Sequence, residues 1–247
     1  MTNSDHPIEV KQYGEQGILL EWPKGISRAQ LRNMLSYKVK IQKKYGSLLR
    51  ESVLGYHSLL LVLDGEDIDM EGLIEEIQLL KKAPLISDEI VGIKRWEIPV
   101  CYDKELENDL EVIAQRLDVP LKEVIRLHQK QLYTVYFIGF LPGFLYLGGL
   151  DERLVLPRRS EPRLHIPQGA VGIAERQTGI YPQESAGGWH ILGYSPLQFF
   201  DSAMEPPCFA APGDQLRFVS IDREQYFKIR LLLDTGKYFP KYEMVEL

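Results

Sequence analysis

The 247-residue chain contains only two cysteines, Cys101 and Cys208, which excludes a framework of disulfides and a cysteine-rich zinc site. It also lacks a basic surplus, because 29 Lys and Arg residues against 35 Asp and Glu residues give a formal net charge of −6. A general binder of nucleic acid or of an anionic membrane needs a basic face. We therefore expect neither as a partner. A chain of this length buries a sizeable core without disulfides or a structural metal.

A leader segment and long apolar runs are missing as well. The opening residues, MTNSDHPIEV, show no basic start followed by an apolar segment. The longest apolar stretches are short or are broken by glycine and proline, so no membrane-spanning helix is predicted. Together with the low cysteine content, these absences favour a cytoplasmic location.

Common catalytic and nucleotide motifs are absent too. The chain has no G-x-x-x-x-G-K-[ST] phosphate loop, no G-x-G-x-x-G dinucleotide motif and no G-x-S-x-G nucleophile elbow. No fixed metal-ligand spacing links His165 and His190, so no metal site is predicted from this chain. Either histidine could serve as an acid–base group, and a structural role is the alternative for both.

The first 92 residues alternate strand and helix signals. In order, these signals are a strand at 17–22, a helix capped by Ser27, one bent strand or a strand pair at 52–63, a helix opened by Asp67, and a strand at 89–93. This order is typical of a small α+β sandwich with its helices on one face. Residues 1–92 are accordingly predicted to form the first domain, and residues 93–247 the second.

The second domain begins with a strand at 96–102, where Pro99 indicates an edge or entry position. Two short amphipathic helices follow between Leu110 and His128, and the LDVP break between them resembles a helix–turn–helix. Residues 104–130 carry a net charge of −1, which favours a packed helical pair over a DNA reader. From Tyr133 onward we find no sustained helical period, and the pattern predicts a β-rich barrel or sandwich.

Glycine is concentrated in one part of this second domain. Ten of the 20 glycines lie between Gly139 and Gly193, a stretch of 55 residues. Glycine permits positive φ and close backbone approach, and proline fixes φ, so these loops have prescribed shapes. Such loops suit a pre-formed ligand cleft, although the corners of a barrel require the same residues.

The side chains among these loops favour a cleft that binds an anion. Four arginines fall within eleven residues of a net-acidic chain: Arg153, Arg158, Arg159 and Arg163. Guanidinium groups bind carboxylate and phosphate oxygens in a bidentate manner, whereas a solvated surface patch is the alternative. Aromatic residues that could line such a cleft, or fill a barrel core, are Phe140, Phe144, Tyr146, Tyr181 and Trp189. The residues alone support a ligand-binding β domain and define no reaction.

Several motifs of this stretch resemble one family, known as the B subunit of 5-oxoprolinase, kinase inhibitor KipI or allophanate hydrolase subunit 1. They are G-F-x-P-G-F-x-Y at 139–146, Pro-Arg steps at 157–158 and 162–163, Q-T-G-I-Y-P at 177–182 and G-G-W at 187–189. The resemblance implies a cyclophilin-like β-barrel for the second domain without prolyl isomerase activity. The predicted fold is therefore α+β, a small N-terminal α+β sandwich followed by a cyclophilin-like β-barrel.

The resemblance also implies a function. Members are expected to act as a non-autonomous subunit of an ATP-dependent 5-oxoprolinase, together with a related cyclophilin-like subunit, the C subunit of such enzymes. A third subunit then opens the ring to give glutamate. The implied cofactors are ATP and Mg²⁺, shared with the partner subunit, because phosphorylation of a lactam oxygen makes a poor electrophile reactive. Related sequences act on carboxylated urea, so the motifs leave the amide open. Inhibition of a sensor histidine kinase is the alternative implied role.

Carried over residue by residue, the resemblance predicts Arg158 and Arg163 as catalytic groups, and His165 is added as the acid–base candidate from the residues themselves. The predicted substrate or nucleotide contacts are Gln177, Thr178, Tyr181, Gly187, Gly188, Trp189, Pro142, Gly143 and Phe144. The chain departs from the family pattern at three positions. Ala186 stands where proline is common, Tyr194 stands where arginine is expected, and Glu175 replaces a glycine.

Overall fold

A computed structural model of the chain describes residues 8–65, 67–80 and 92–245. The chain divides into two compact units, Met1–Val91 and Gly92–Leu247. The predicted α+β class is confirmed, with a small sheet and helices in the first unit and a closed β-barrel in the second. Most of the strand predicted at 89–93 lies outside the described residues. None of the helices in these ranges is both long and apolar enough to cross a membrane.

Within residues 8–65 and 67–80, the first unit forms an antiparallel sheet in the order β1-β2-β4-β3. Its elements are β1 (Glu9–Gln12), β2 (Gly17–Glu21), α1 (Arg28–Tyr45), β3 (Leu49–Leu54), β4 (Ser58–Leu63) and α2 (Met70–Leu79). Strand β4 buries Leu59, Leu61 and Leu63 on one face because successive side chains of a strand alternate between faces. The 52–63 signal is therefore a strand pair.

The second helix begins later than predicted. Asp69, not Asp67, is its N-cap, and its carboxylate accepts a hydrogen bond of 3.0 Å from the Gly72 backbone N–H. Asp67 has a φ of 57°, in the left-handed region, so the chain is still turning at that residue. Both aspartates precede the apolar stripe, and local sequence alone does not distinguish a turn residue from a cap.

The second unit is built on a closed barrel. Its strands are β5 (Ile93–Cys101), β6 (Tyr133–Ile138), β7 (Leu145–Gly148), β8 (Arg163–Ile166), β9 (Ala170–Ala174), β10 (Gln177–Ile180), β11 (Ser185–Gly187), β12 (His190–Tyr194), β13 (Gln215–Ile221) and β14 (Lys241–Val245). Among the described residues, seven strands pair in the order β12-β9-β10-β7-β6-β13-β5. Pairing of Tyr194 with Cys101 joins β12 to β5 and closes the barrel. The remaining strands are β14, which adds to β5, and the β8–β11 pair, which forms a separate ribbon.

The predicted edge or entry position of Pro99 is wrong, because β5 has partners on both sides and Pro99 lies in its interior. Strand β5 pairs with β13 over Arg95–Cys101, and its other side pairs with β14 over Ile93–Glu97 and with β12 at Cys101. Pro99 lies between those two partners. A proline is tolerated there because the change of partner leaves a gap in the ladder on one side of the strand.

The helices of the second unit are α3 (Leu110–Leu117), α4 (Leu121–Lys130) and α5 (Arg223–Asp234). The predicted pair α3 and α4 is confirmed, whereas the prediction of no helix after Tyr133 is wrong because of α5. This helix fully buries only Tyr226, so its apolar stripe is weak. A capping box formed by Asp222 and Gln225 satisfies the backbone N–H groups of these two residues, and that D-x-x-Q pattern was the available signal.

His128 is fully buried in the barrel core. The ring of His128 stacks on Phe218 with centroids 4.4 Å apart, and its Nδ1 lies 2.8 Å from the Tyr102 hydroxyl. Burial lowers the pKa of His128 to about 3, because a charged imidazolium would be desolvated there. The neutral ring is therefore part of the packed core.

This burial predicts a loss of stability in acid. The pKa of His128 is lower in the folded chain than its ordinary value of 6.5, so the unfolded chain binds the proton more readily. The free energy of unfolding therefore has its full value, as far as His128 is concerned, above pH 6.5. It declines by about 1.4 kcal/mol per pH unit as the pH falls from 6.5 towards 3. Urea unfolding at a series of pH values measures this slope. The His128→Phe variant should flatten it, and an unchanged slope in that variant would refute the assignment.

Candidate functional site

The ribbon of β8 and β11 covers one side of the barrel. Gly187 pairs with Arg163 across the ribbon, and Ser185 pairs with Ile166. A Cβ added at Gly187 would lie 2.4 Å from the hydroxyl oxygen of Tyr181 and 2.8 Å from Cδ1 of Ile166. The backbone of β11 therefore lies directly against the Tyr181 hydroxyl, an approach that only glycine permits.

Beneath the ribbon, aromatic rings form a cluster around Phe144. The centroid of the Phe144 ring lies 4.7 Å from that of Tyr146, 5.1 Å from Tyr181 and 5.5 Å from Trp189. The Tyr181 and Trp189 contacts are edge-to-face, the arrangement that aromatic pairs favour. The structure thus brings together the predicted residues Phe144, Tyr181 and Trp189, with the half-buried ring of Tyr146 beside them.

Gly179 makes room for this cluster, a role that the sequence motif around it did not predict. A Cβ at Gly179 would lie 2.9 Å from Cε1 of Phe144. Successive side chains of strand β10 point to opposite faces, so Gly179 shares a face with Gln177, which is half-buried. The predicted contact Thr178 lies on the other face, buried in the barrel, where its hydroxyl donates a 2.9 Å hydrogen bond to the Gly172 carbonyl.

The loop before Phe144 has a fixed shape. Gly143 has a φ of 82°, and a Cβ there would lie 2.6 Å from Cβ of Phe200. The loop is therefore packed on the 199–200 segment, while Pro142 is exposed beside it. Phe140, also at positive φ, is 68% exposed. The predicted residues Pro142 and Gly143 form the outer border of the aromatic cluster.

Arg158 lies at the open side of the cluster. Its side chain is 58% exposed, and its Nε lies 4.0 Å from Oε1 of Glu175, which is 63% exposed. Burial raises the pKa of Tyr181 to about 12 and also raises that of Tyr146, and the charge of Arg158 acts on both hydroxyls in the opposite direction. Both phenols are therefore neutral near pH 7, and the site combines neutral hydroxyls with a guanidinium that faces solvent.

Two of the clustered arginines bind a residue that the sequence did not single out. The carboxylate of Asp109 accepts hydrogen bonds from Nη1 and Nη2 of Arg163 at 2.8 and 2.6 Å, and from Nη1 of Arg159 at 3.3 Å. It also accepts one of 2.7 Å from the Ile191 backbone N–H. The Asp109 side chain is 5% exposed, so this is a largely buried, charge-assisted network.

The charge state of Asp109 follows from these contacts. Burial alone would raise the pKa of its carboxyl group, but the hydrogen bonds from Arg163 and Ile191 and the charges of both arginines outweigh that effect. The pKa of Asp109 is consequently below its ordinary value, and the group is ionised near neutral pH. With two guanidiniums beside one carboxylate, the cluster retains a positive charge.

The histidines lie apart from the aromatic cluster. His165 on β8 is 77% exposed, and its Nδ1 lies 3.0 Å from Oε1 of Glu184. His190 is buried on β12 with its Nε2 3.1 Å from the Pro157 carbonyl, and burial lowers its pKa. Tyr194, at the position where arginine was expected, is buried and donates a 3.3 Å hydrogen bond to the Glu107 carbonyl.

Two further observations concern possible ligand sites elsewhere in the chain. A groove of about 460 Å³ lies between α5 and strands β5 and β13, and none of the predicted site residues lines it. Its lining mixes aliphatic side chains with polar and charged ones, among them Glu97, Lys228 and Lys241. In the described ranges, no cluster of three or more His, Cys, Asp or Glu side chains could hold a metal ion. The carboxylates of Asp201 and Asp214 accept hydrogen bonds from backbone N–H groups.

Fold and site together define an α+β protein whose β-barrel unit carries an aromatic and arginine-lined candidate site. A family model described as carboxyltransferase domain, subdomain C and D, matches residues 8–210. The chain belongs to this family.

Curated relatives carry a consistent name. The B subunit of 5-oxoprolinase from Haemophilus influenzae is 36% identical over 212 residues, which cover 86% of this chain and 97% of that protein. The B subunit of 5-oxoprolinase from Bacillus subtilis is 43% identical over 144 residues, covering 58% of this chain and 60% of that protein. The chain thus spans less than two thirds of the second relative.

Solved structures show the same fold. The protein TTHA0988 is 36% identical with a TM-score of 0.72, and the match covers 84% of this chain but only 40% of that one. The Kluyveromyces lactis urea carboxylase has a TM-score of 0.82 over 99% of this chain and 24% of that one. At 19% identity, this second likeness shows the fold alone.

Proposed function

We propose that this chain is one subunit of an ATP-dependent 5-oxoprolinase and that it acts with a related barrel subunit and a ring-opening subunit. The observation that carries the proposal is the 36% identity to the 5-oxoprolinase B subunit of Haemophilus influenzae, aligned over 97% of that protein. The geometry supports it, because the exposed Arg158 lies near the two neutral phenols of the aromatic cluster. Kinase inhibition, the other implied role, stays a prediction of the resemblance.

In this proposal the aromatic cluster takes the lactam ring. The half-buried ring of Tyr146, backed by the buried ring of Trp189, offers an apolar wall that excludes water, which strengthens every polar contact beside it. The guanidinium of Arg158 presents forked N–H donors that suit a carboxylate or a phosphoryl oxygen. When bound, ATP supplies the phosphoryl group that turns the lactam oxygen into a better leaving group. The role of this chain is then to bind, orient and desolvate.

The residues fit an anion better than a metal. Arg163 belongs to the ribbon, and Arg158 and Arg159 lie next to its Gly188, whereas no metal-binding cluster of acidic, histidine or cysteine residues occurs in the described ranges. In the proposal, this chain therefore binds the phosphate or carboxylate oxygens of the ligand. The proposal assigns the ligands of Mg²⁺ to the nucleotide and the partner subunit.

Reconstitution tests the proposal. The chain is co-expressed with its partner subunits, and glutamate release from 5-oxoproline is measured with and without ATP. We expect ATP-dependent release that disappears when this chain is left out. A set that releases no glutamate, while a 5-oxoprolinase set from Haemophilus influenzae works alongside, would reject the proposal.

The position of Glu175 predicts a further effect on substrate affinity. Its carboxylate lies 4.0 Å from Arg158 and competes with an anionic ligand for that guanidinium. An exposed pair of this kind contributes roughly 0.2–1 kcal/mol, so Glu175→Gln should lower the KM for 5-oxoproline by up to about fivefold. Glutamine keeps the side-chain length at this residue of positive φ, and only the charge changes.

Glu184→Gln is the matched control, because Glu184 is equally exposed but faces His165 instead of Arg158. Its KM should equal that of the wild type. Equal KM values for both variants would show that Glu175 does not compete at Arg158.

A further inference from the structure

The Asp109 carboxylate joins segments that are far apart in the sequence. Arg163 lies 54 positions after Asp109, and Ile191 lies 82 positions after it. The backbone N–H of Asp109 also donates a 2.6 Å hydrogen bond to the Ile191 carbonyl, so residue and strand are joined from both directions. Asp109 therefore connects the start of α3 to strand β8, to the loop before it and to strand β12.

Two partners of Asp109 contact Gly187 or Gly188, and the third, Ile191, belongs to the same segment of chain. Arg163 is the β-ladder partner of Gly187. The backbone N–H of Arg159 donates a 2.8 Å hydrogen bond to the Gly188 carbonyl. Ile191 follows Trp189 by two residues on the same segment. The carboxylate thus holds the 187–191 segment on both sides, and that segment carries Gly187, Gly188 and Trp189.

We propose that Asp109 is a positioning residue for the candidate site, which fixes the 187–191 segment through Arg159, Arg163 and the Ile191 amide. This inference rests on the proposed function for its kinetic consequence. Asp109 touches no substrate; it sets where the glycine backbone and the Trp189 ring lie relative to Tyr181 and Arg158. The guanidinium groups of Arg159 and Arg163 are held at the Asp109 carboxylate, so Arg163 affects a ligand only by fixing the ribbon. Arg158 remains the arginine that faces a ligand.

The first test uses amide hydrogen exchange of the full chain. Asp109→Asn keeps the shape of the side chain but loses the charge and faces the arginines with an NH₂ group. We expect exchange of the 187–191 amides to become at least tenfold faster, with little change in β5, β6 and β13. Asp151→Asn is the matched control, since Asp151 holds Arg153 in a similar two-point pair at 3.0 and 2.9 Å elsewhere. It should leave 187–191 unchanged.

A second variant covers the case in which Asp109→Asn does not fold. Arg163→Lys keeps the charge but cannot make the two-point contact, so it should also speed exchange in 187–191. Exchange that stays at the wild-type rate in 187–191, or that rises equally over the whole barrel, would overturn the proposal.

Kinetics of the reconstituted enzyme give the second readout. A shift of about 1 Å in a substrate-positioning group lowers rates roughly 100-fold, so kcat/KM of Asp109→Asn should fall by about that factor. Adding Asp109→Asn to Arg163→Ala should lower kcat/KM by less than about twofold more, because the two residues act as one unit. Wild-type kcat/KM in Asp109→Asn would contradict the proposal. An inactive wild-type set would reject only the 5-oxoprolinase function, since the exchange pattern decides the positioning role independently.

Discussion

Replacement of Arg158 by alanine is expected to lower kcat/KM for 5-oxoproline by roughly 100- to 1,000-fold in the reconstituted enzyme. Removing one preorganised donor from a site where charge develops has an effect of this size. The side chain is 58% exposed and its ion pair with Glu175 is long, at 4.0 Å. The free energy of unfolding should therefore change by no more than about 0.5 kcal/mol.

Arg153→Ala is the matched control for this variant. Arg153 belongs to the same arginine cluster in the sequence and is similarly exposed, at 56%, but it pairs with Asp151 and Glu123. We expect its kcat/KM to equal that of the wild type. If both variants lose activity equally, or if neither does, Arg158 is not the ligand-binding arginine of this chain.

Gly187→Ala should damage the site by steric overlap. The new Cβ would lie 2.4 Å from the Tyr181 hydroxyl oxygen. The Tyr181 ring is 2% exposed and packs against Phe144, so it cannot move aside without disturbing the cluster. Overpacking of this kind lowers the free energy of unfolding by about 1–3 kcal/mol. We expect that loss in urea unfolding, together with strongly reduced glutamate release.

The adjacent glycine provides the control. A Cβ at Gly188 would find its nearest neighbour, the Arg159 carbonyl oxygen, at 3.8 Å, which is ordinary van der Waals contact. Gly188→Ala should therefore fold with nearly wild-type stability. A Gly187→Ala protein as stable and active as Gly188→Ala would show that the ribbon does not depend on close approach to Tyr181.

Much of the fold follows from local sequence pattern. The alternation in β4 and the amphipathic pair α3 and α4 have clear periods, and the dense glycines predict the many turns of a barrel. Helix α5 escaped prediction because it buries little apolar surface. The position of Pro99 was not predicted for another reason. Strand β5 has two successive partners on one side because the barrel closes there, and the local sequence pattern contains no information about that closure.

The site was predictable only in part. The motifs located the loops and the aromatic residues, and the structure brings Phe144, Tyr181 and Trp189 together. The motifs did not separate Arg158 from Arg163, because the pairing of Arg163 depends on a carboxylate 54 residues earlier in the chain. Asp109 itself looked like an ordinary residue at the start of a helix. Thr178 belongs to the same motif as Tyr181, yet strand alternation turns it into the barrel.

A crystal structure of the assembled complex with 5-oxoproline and a non-hydrolysable ATP analogue would test most directly whether Arg158 holds the ligand. We expect a carboxylate or phosphoryl oxygen within about 3.2 Å of the Arg158 guanidinium, with the lactam ring against Tyr146. We also expect Arg163 to stay bound to Asp109. Both ligands bound away from Arg158, for instance in the groove between α5 and β13, would contradict the proposed site.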